Sequence, residues 1–261
     1  MHPFSSSHIR NETFDTLFGG KLRVFQEQHG YRLSIDAFLL AGFVWLRRGD
    51  RVIDLGTGVG IIPLILGIRG EDAEQIAGVE IQETLAELAK RNVLLNGLED
   101  LITIYQGDMR GLNDTLRPSS FDVLVTNPPY YRVSSGRINP STQKAVARHE
   151  ITCTINDVLQ ATCYLLREGG RMFIIYPATR AITLFDSLRS VSLEPKRIRW
   201  IYSREGEKAT FILTEAHKGG GEGVEVLPPL FIYSVTGSYT PEMEALYSIP
   251  LQITARKGEQ P

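Results

Sequence analysis

Apolar residues follow two spacings along this chain. Short apolar runs bounded by turn residues alternate with longer stretches, one of them almost continuously apolar and the others with apolar positions recurring every three or four residues. The short runs at Arg51–Leu55 and at 76–79, 101–105, 121–125 and 171–176 predict strands. The stretches at Ile61–Ile68, Glu83–Leu95 and 156–166 predict helices. Asn96-Gly97 and Gly169-Gly170 are expected to close the second and third of these helices. Strands taking turns with helices predict a parallel sheet covered on both faces. Beyond Pro177 the pattern predicts a helix at 181–191 and strands at 197–202 and 210–214. A glycine-rich loop at 219–223 precedes a last strand at 230–235. Ahead of the repeat, runs at 12–18 and 21–26 flank Gly19-Gly20, which predicts a hairpin with a two-residue turn. Ser34 and Asp36 precede a helix at 37–46, and either can cap it. The expected organisation is a single compact domain, with residues 1–36 as an N-terminal extension and 37–261 as the main fold.

Composition narrows the picture. At 261 residues with 43% hydrophobic and 22% charged positions, the chain is neither disordered nor a coiled coil. The sequence contains no apolar run long enough for a membrane span, and the polar N-terminus lacks a signal-peptide core. Cys153 and Cys163 are too few for a disulfide framework and read as small buried hydrophobes. The histidines are scattered, so no metal site is expected. These features predict a cytoplasmic protein without metal, of oligomeric state the sequence leaves open. With a net charge of -2, any nucleic-acid partner must be held by a local basic patch.

The strongest chemical signal is Asp54-Leu55-Gly56-Thr57-Gly58-Val59-Gly60, at the end of the first strand of the repeat. Ligands of such sheets sit beyond the carboxyl ends of the strands, where strand order reverses. A dinucleotide loop reads G-x-G-x-x-G and cradles a pyrophosphate. Here the third glycine arrives one residue early, and Ile61 fills the dinucleotide position. The spacing resembles the first motif of class I methyltransferases, whose ligand is S-adenosylmethionine. That resemblance implies a Rossmann-like α/β fold, with a mostly parallel seven-stranded sheet and helices on both faces. It places Asp54, Gly56, Gly58 and Gly60 at the cofactor, with Asp54 suited to the cationic amino group. Glu80 ends the second strand, where it can accept from ribose hydroxyls. Asp108 follows the third strand, where it can accept from the adenine amine, with Met109 lining the base. Acids at strand ends also occur as solvated groups or helix caps. Three on consecutive strands point to a nucleoside.

Asn127-Pro128-Pro129-Tyr130 follows the fourth strand. An Asn-Pro pair is also a common turn signal. Its position beside the cofactor loop matches the motif of methyltransferases acting on planar amines and amides. The amine lone pair is spread into the ring, so the nitrogen is a poor nucleophile. The Asn127 side-chain carbonyl and the Pro128 backbone carbonyl can accept its two N–H groups and favour a localised lone pair. The prolines hold those oxygens in place beforehand, and Tyr130 offers a ring for a flipped base. Such chemistry needs no covalent intermediate and so no cysteine.

Two N-terminal segments narrow the resemblance. Residues 15–22, Asp-Thr-Leu-Phe-Gly-Gly-Lys-Leu, and 29–36, His-Gly-Tyr-Arg-Leu-Ser-Ile-Asp, are similar to the bacterial family that methylates the adenine next to the anticodon of a valine tRNA. The resemblance implies N6 methylation of adenine with tRNA as partner, and puts Arg32, Ser34 and Asp36 near the methionine end of the cofactor. A capped helix preceded by a surface arginine is the alternative for those three. The stretch 131–149 carries Arg132, Arg137, Lys144 and Arg148 and is either an RNA-phosphate contact or a solvated loop. A second basic run, Arg189, Lys196, Arg197, Arg199 and Arg204, is diluted by glutamates. Other acceptors remain open: a glutamine side chain of a release factor, a guanine amine, or an adenine in ribosomal RNA or DNA. From other classes, the alternatives are a nicotinamide-dependent dehydrogenase, against which the glycine spacing argues, and a non-catalytic RNA-binding module.

Overall fold

The computed structural model describes residues 12–28, 33–70, 73–128 and 153–248. Strands β3 (Arg51–Leu55), β4 (Gln75–Glu80), β5 (Ile102–Gln106), β6 (Phe121–Thr126) and β7 (Leu166–Pro177) form the parallel part of the sheet. Most of their side chains are buried, because helices cover both faces; the exposed ones gather in the edge strand β5 and at the start of β7. β9 (Ala209–Lys218) runs antiparallel between β7 and β8 (Leu193–Tyr202). These are the seven expected strands. Two further strands of two residues each, β10 (Glu225–Val226) and β11 (Leu230–Phe231), pair in parallel with β8 and widen that edge. The order among the described residues is β5-β4-β3-β6-β7-β9-β8-β10, with β11 also on β8. β3 has β4 on one side and β6 on the other, so strand order reverses at the β3–β6 seam.

Helices α1 (Ile35–Phe43), α2 (Ile61–Ile68) and α3 (Glu83–Leu95) cover one face with α6 (Pro241–Ser248). Helices α4 (Ile155–Leu165) and α5 (Ala181–Ser190) cover the other. Thr154 and Asp157 form a reciprocal capping box at the start of α4.

Three local expectations are corrected. The hairpin of β1 (Glu12–Leu17) and β2 (Leu22–Glu27) turns over four residues, because Leu17 pairs directly with Leu22. Phe18 tucks into the core in the left-handed region at φ 53°, and that anchor widens the turn. Gly169-Gly170 does not end α4. The helix stops at Leu165, and the glycines lie inside β7, where the register against β6 slips from Phe121–Leu166 to Val123–Arg171. A Cβ on Gly170 would sit 2.7 Å from Leu166 Cγ, so only glycine fits that irregularity. The expected strand at 230–235 shortens to β11, and α6 follows where no helix was expected.

Candidate active site

The loop after β3 is shaped by its own backbone. Gly56 and Thr57 N–H both donate to the Val79 carbonyl of β4, at 2.9 and 3.0 Å. Gly56, Gly58 and Gly60 have φ of 76°, 57° and 84°, a region costly for residues with a Cβ. Gly60 caps α2, and a Cβ there would also press to 3.3 Å on Ala89 of α3. The loop therefore lies flat on the sheet end, and α2 and α3 close against it.

Three expected acids stand along this edge in different states. Glu80 is buried, and each of its oxygens accepts one backbone N–H: Gly58 at Oε2 and Gln82 at Oε1, both 2.9 Å. It thus ties the glycine loop to the end of β4. Asp54 is 1% exposed, and neither of its oxygens has a hydrogen-bond partner among the described residues. Burial pushes its carboxyl up to about 7, the nearby charge of Glu80 adds to the rise, and the Thr57 hydroxyl, close but outside hydrogen-bonding geometry, eases it. An unpartnered buried carboxylate is costly unless a cation meets it. Asp108 is engaged by Arg110, whose backbone N donates to Oδ1 at 2.9 Å, whose Nη2 donates to Oδ2 at 2.5 Å and whose Nε donates to both oxygens at 3.0 Å. Those Arg110 hydrogen bonds hold the Asp108 carboxyl below its ordinary range. These four contacts occupy both carboxylate oxygens, so a ligand amine can bind Asp108 only by taking over part of what Arg110 now holds. Met109 is half-buried with its sulfur 3.4 Å from Cys153 Sγ. A pocket of about 260 Å³ opens beside it, lined by Met109, Arg110, Asp157, Gln160 and Tyr164 among others.

Asn127 and Pro128 follow β6 directly, next to the glycine loop. Thr126 pairs with Leu55, and its hydroxyl donates to the Leu55 carbonyl at 3.0 Å. Asn127 Nδ2 donates to Asp36 Oδ2 at 3.1 Å. Asp36 therefore lies inside the first turn of α1 and is engaged by Asn127 rather than serving as a cap. Ser34 holds the N-cap position of α1 without a side-chain capping bond. Pro129, Tyr130, Arg32 and the basic residues Arg132, Arg137, Lys144 and Arg148 lie outside the described residues.

The second basic run divides. Arg197 is buried and paired with Glu215 at 2.8 Å, Arg199 pairs with Glu242 at 2.7 Å, and Arg189 pairs with Glu194 at 3.1 Å. Lys196 donates to the Gly221 carbonyl at 3.0 Å. Arg204 stands beyond the carboxyl end of β8, where it pairs with Glu207 of the same turn at 3.6 Å and lies over the Tyr233 ring at 5.2 Å.

Asn92, not singled out in the sequence, turns out to couple two parts of the site. It is fully buried on α3. Its Oδ1 accepts from Phe25 N at 2.8 Å, and its Nδ2 donates to the Phe25 and Val59 carbonyls, each at 3.0 Å. One side chain thereby joins the N-terminal hairpin to the glycine loop. The available signal was a pair of asparagines, Asn92 and Asn96, one turn apart in an otherwise good helix-forming stretch. Asn96 binds Arg23 of the same strand in the same way, at 2.9 and 2.7 Å.

Comparison with known proteins gives a consistent result. The family model described as methyltransferase small domain matches residues 32–188. A tRNA1(Val) (adenine(37)-N6)-methyltransferase of Bacteroides thetaiotaomicron is 30% identical over 59% of this chain, and the match spans 63% of that relative, just under two thirds. A Porphyromonas gingivalis protein of the same name is 29% identical over 78% of this chain and 82% of its own length. Among solved structures, a predicted O-methyltransferase from Agrobacterium tumefaciens superposes with a TM-score of 0.63 at 24% identity, covering 80% of this chain and 94% of that one. The cyclase SpnF also shares the fold, with a TM-score of 0.50 at 16% identity over 71% of this chain and 81% of that one, so the fold alone does not fix the reaction.

Proposed function

This chain belongs to the methyltransferase small-domain family and is an S-adenosylmethionine-dependent methyltransferase, and from that premise we propose that its acceptor is the exocyclic N6 amine of an adenine in tRNA. The observation that carries this reading is Asn127-Pro128 at the carboxyl end of β6, one strand from the glycine loop. The N-terminal segments of the sequence and the names of the relatives favour adenine and tRNA over the other planar amines.

The residues fit the cofactor by their chemistry. Asp54, buried and unpartnered, suits the cationic amino group of the methionine end. Glu80 keeps acceptor capacity for ribose hydroxyls after its two backbone bonds. Asp108 and Met109 suit the adenine end, and Gly56, Gly58 and Gly60 keep side chains away from it. Ser34 and Arg32 belong to the segment proposed to lie over the methionine end. When bound, S-adenosylmethionine supplies an electrophilic methyl group. The chain's own part is to hold the acceptor nitrogen. Asn127 Oδ1 and the Pro128 carbonyl accept its two N–H groups, which draws the lone pair out of the ring. The amine gives up one proton to solvent after methylation. Tyr130 supplies the stacking ring of the motif.

RNA flanking the target base has cations to meet on the same edge of the sheet. Arg180 follows β7, while Arg204 and Lys208 lie in the turn between β8 and β9. Arg132, Arg137, Lys144 and Arg148 of the sequence add to them. A tRNA substrate puts the reaction in the cytoplasm.

The test is transfer of labelled methyl groups to bulk unmodified tRNA, followed by nucleoside analysis, with a release-factor peptide and duplex DNA in parallel. N6-methyladenosine in one tRNA species is expected. Label only in the peptide or the duplex overturns the reading.

A further inference from the structure

The hydrogen bond from Asn127 Nδ2 to Asp36 Oδ2 spans 91 residues of sequence and joins the first turn of α1 to the end of β6. Its chemistry is directional. An ionised carboxylate only accepts hydrogen bonds, whereas a primary amide has a donor end and an acceptor end. Asp36 can therefore face only the NH2 end of Asn127, which turns Oδ1 to the opposite side. An amide with the reverse rotation presents donors to an amine that is itself a donor, and cannot hold it.

We propose that Asp36 is a positioning residue that sets the rotation of the Asn127 amide, so that its carbonyl oxygen and not its nitrogen meets the acceptor amine. The inference rests on the amine-methylation reading above and assigns Asp36 to the acceptor rather than to the methionine of the cofactor.

The surroundings of Asp36 are built to hold it still. It is 9% exposed on a helix fixed from two sides. From the N-terminal side, Gln26 Oε1 accepts from Leu33 N at 2.8 Å, and the Phe18 ring lies 6.0 Å from Phe38. From the C-terminal side, Tyr247 of α6 packs on Phe38 at 4.7 Å. Tyr247 stacks on Tyr239 at 5.5 Å and 14°, and Tyr239 on Tyr233 at 5.4 Å and 16°. The strands and helix added beyond the seven-stranded pattern thus end in a row of rings that braces α1 two residues from Asp36. This gives the C-terminal segment a purpose that neither its length nor its composition suggests.

The decisive variant is Asp36→Asn, nearly isosteric but able to pair with either end of Asn127. Single-turnover methyl transfer with saturating tRNA and cofactor is expected to fall roughly 10- to 100-fold. Cofactor affinity by calorimetry should change less than about 3-fold, because the cofactor residues are untouched. In an Asn127→Ala background the same substitution should have no further effect on the rate, since its target is gone. An additive loss of rate, or a loss of cofactor affinity matching the loss of rate, overturns the proposal and returns Asp36 to the cofactor. A substrate-free measurement keeps this distinct from the tRNA reading. The Asn127 side-chain amide resonance, assigned by its loss in Asn127→Ala, should move in Asp36→Asn or, should that variant melt early, in Asp36→Ser. A resonance indifferent to residue 36 overturns the proposal even if tRNA is methylated. A resonance that moves, with no methyl transfer to any tRNA, keeps the Asp36–Asn127 link and removes only the tRNA assignment.

Discussion

Replacing Asp54 by Asn should make the cofactor-free protein more stable and the enzyme worse. The Asp54 carboxyl is 1% exposed, its oxygens have no hydrogen-bond partner among the described residues, and burial carries it from an ordinary 3.8 to about 7. The sign follows from proton binding. Between about pH 4 and pH 7 the folded chain keeps a proton that the unfolded chain has released, so stability falls as pH rises through this window. Above about 7 the folded state carries the full penalty of a buried bare charge. A rise of this size corresponds to an upper limit of roughly 4 kcal/mol. Relaxation of the loop and the polar atoms of the new amide reduce the recoverable part to about 1–3 kcal/mol. At about 2–4 °C per kcal/mol for a chain of this size, the variant should melt several degrees above the parent at pH 8. At pH 5 the folded carboxyl is protonated while the unfolded one is largely ionised, so the gap should narrow to less than half of its pH 8 value and close only below about pH 4. The assay is thermal unfolding of both proteins at pH 5 and pH 8, with and without S-adenosylhomocysteine, which keeps the amino group. With ligand the order reverses: the parent gains stability, more at pH 8 than at pH 5, and the variant gains little at either pH. A variant no more stable than the parent at pH 8, or equally stabilised at both pH values, refutes the idea that burial strains this carboxylate. A ligand response unchanged by the substitution refutes its role at the amino group.

Other consequences are open to direct measurement. Asn127→Ala should lower the rate of methyl transfer about 100-fold or more while calorimetry finds cofactor affinity nearly unchanged, because the residue faces the acceptor; unchanged turnover removes it from the mechanism. Asn92→Leu leaves the Phe25 N–H and the Phe25 and Val59 carbonyls without their partner, and chemical denaturation should register a loss of about 2–4 kcal/mol, with weaker cofactor binding as the loop loosens. Intact cofactor affinity in that variant would mean the hairpin does not govern the loop. Asp50→Ala strands the Arg171 guanidinium, which is 3% exposed and lies 4.0 Å over the Trp45 ring; a cost of about 3–5 kcal/mol is expected, with activity per folded molecule retained.

Much of the site could be read from single positions, because a local rule speaks for each. A third glycine one residue early decides against a pyrophosphate whatever the rest of the chain does, and the structure adds only that all three loop glycines have positive φ. Acids at consecutive strand ends are neighbours in any parallel sheet with this order, so Glu80 and Asp108 could be named before the sheet was seen. The strand–helix alternation carries the fold for the same reason: each element has its own period. The elements that escaped are those without one. β10 and β11 are two residues each, too short for alternation to register, and exist because β8 offers them an unpaired edge. Gly169-Gly170 looked like a helix stop because glycines often are; only the pairing of β7 with β6 shows that the pair absorbs a register slip.

The sequence alone determined the fold and the family: an α/β sheet, a glycine loop with methyltransferase spacing, and Asn127-Pro128 at the end of a strand beside it. Tertiary structure decided how each polar side chain is spent. Asp108 is shared with Arg110, and Arg197 is buried against Glu215 instead of facing RNA. Asn92 links hairpin to loop, and Asp36 meets Asn127 across 91 residues. Donor–acceptor pairing depends on angstrom-scale approach between segments far apart in the chain. Periodicity and spacing describe only what lies along it.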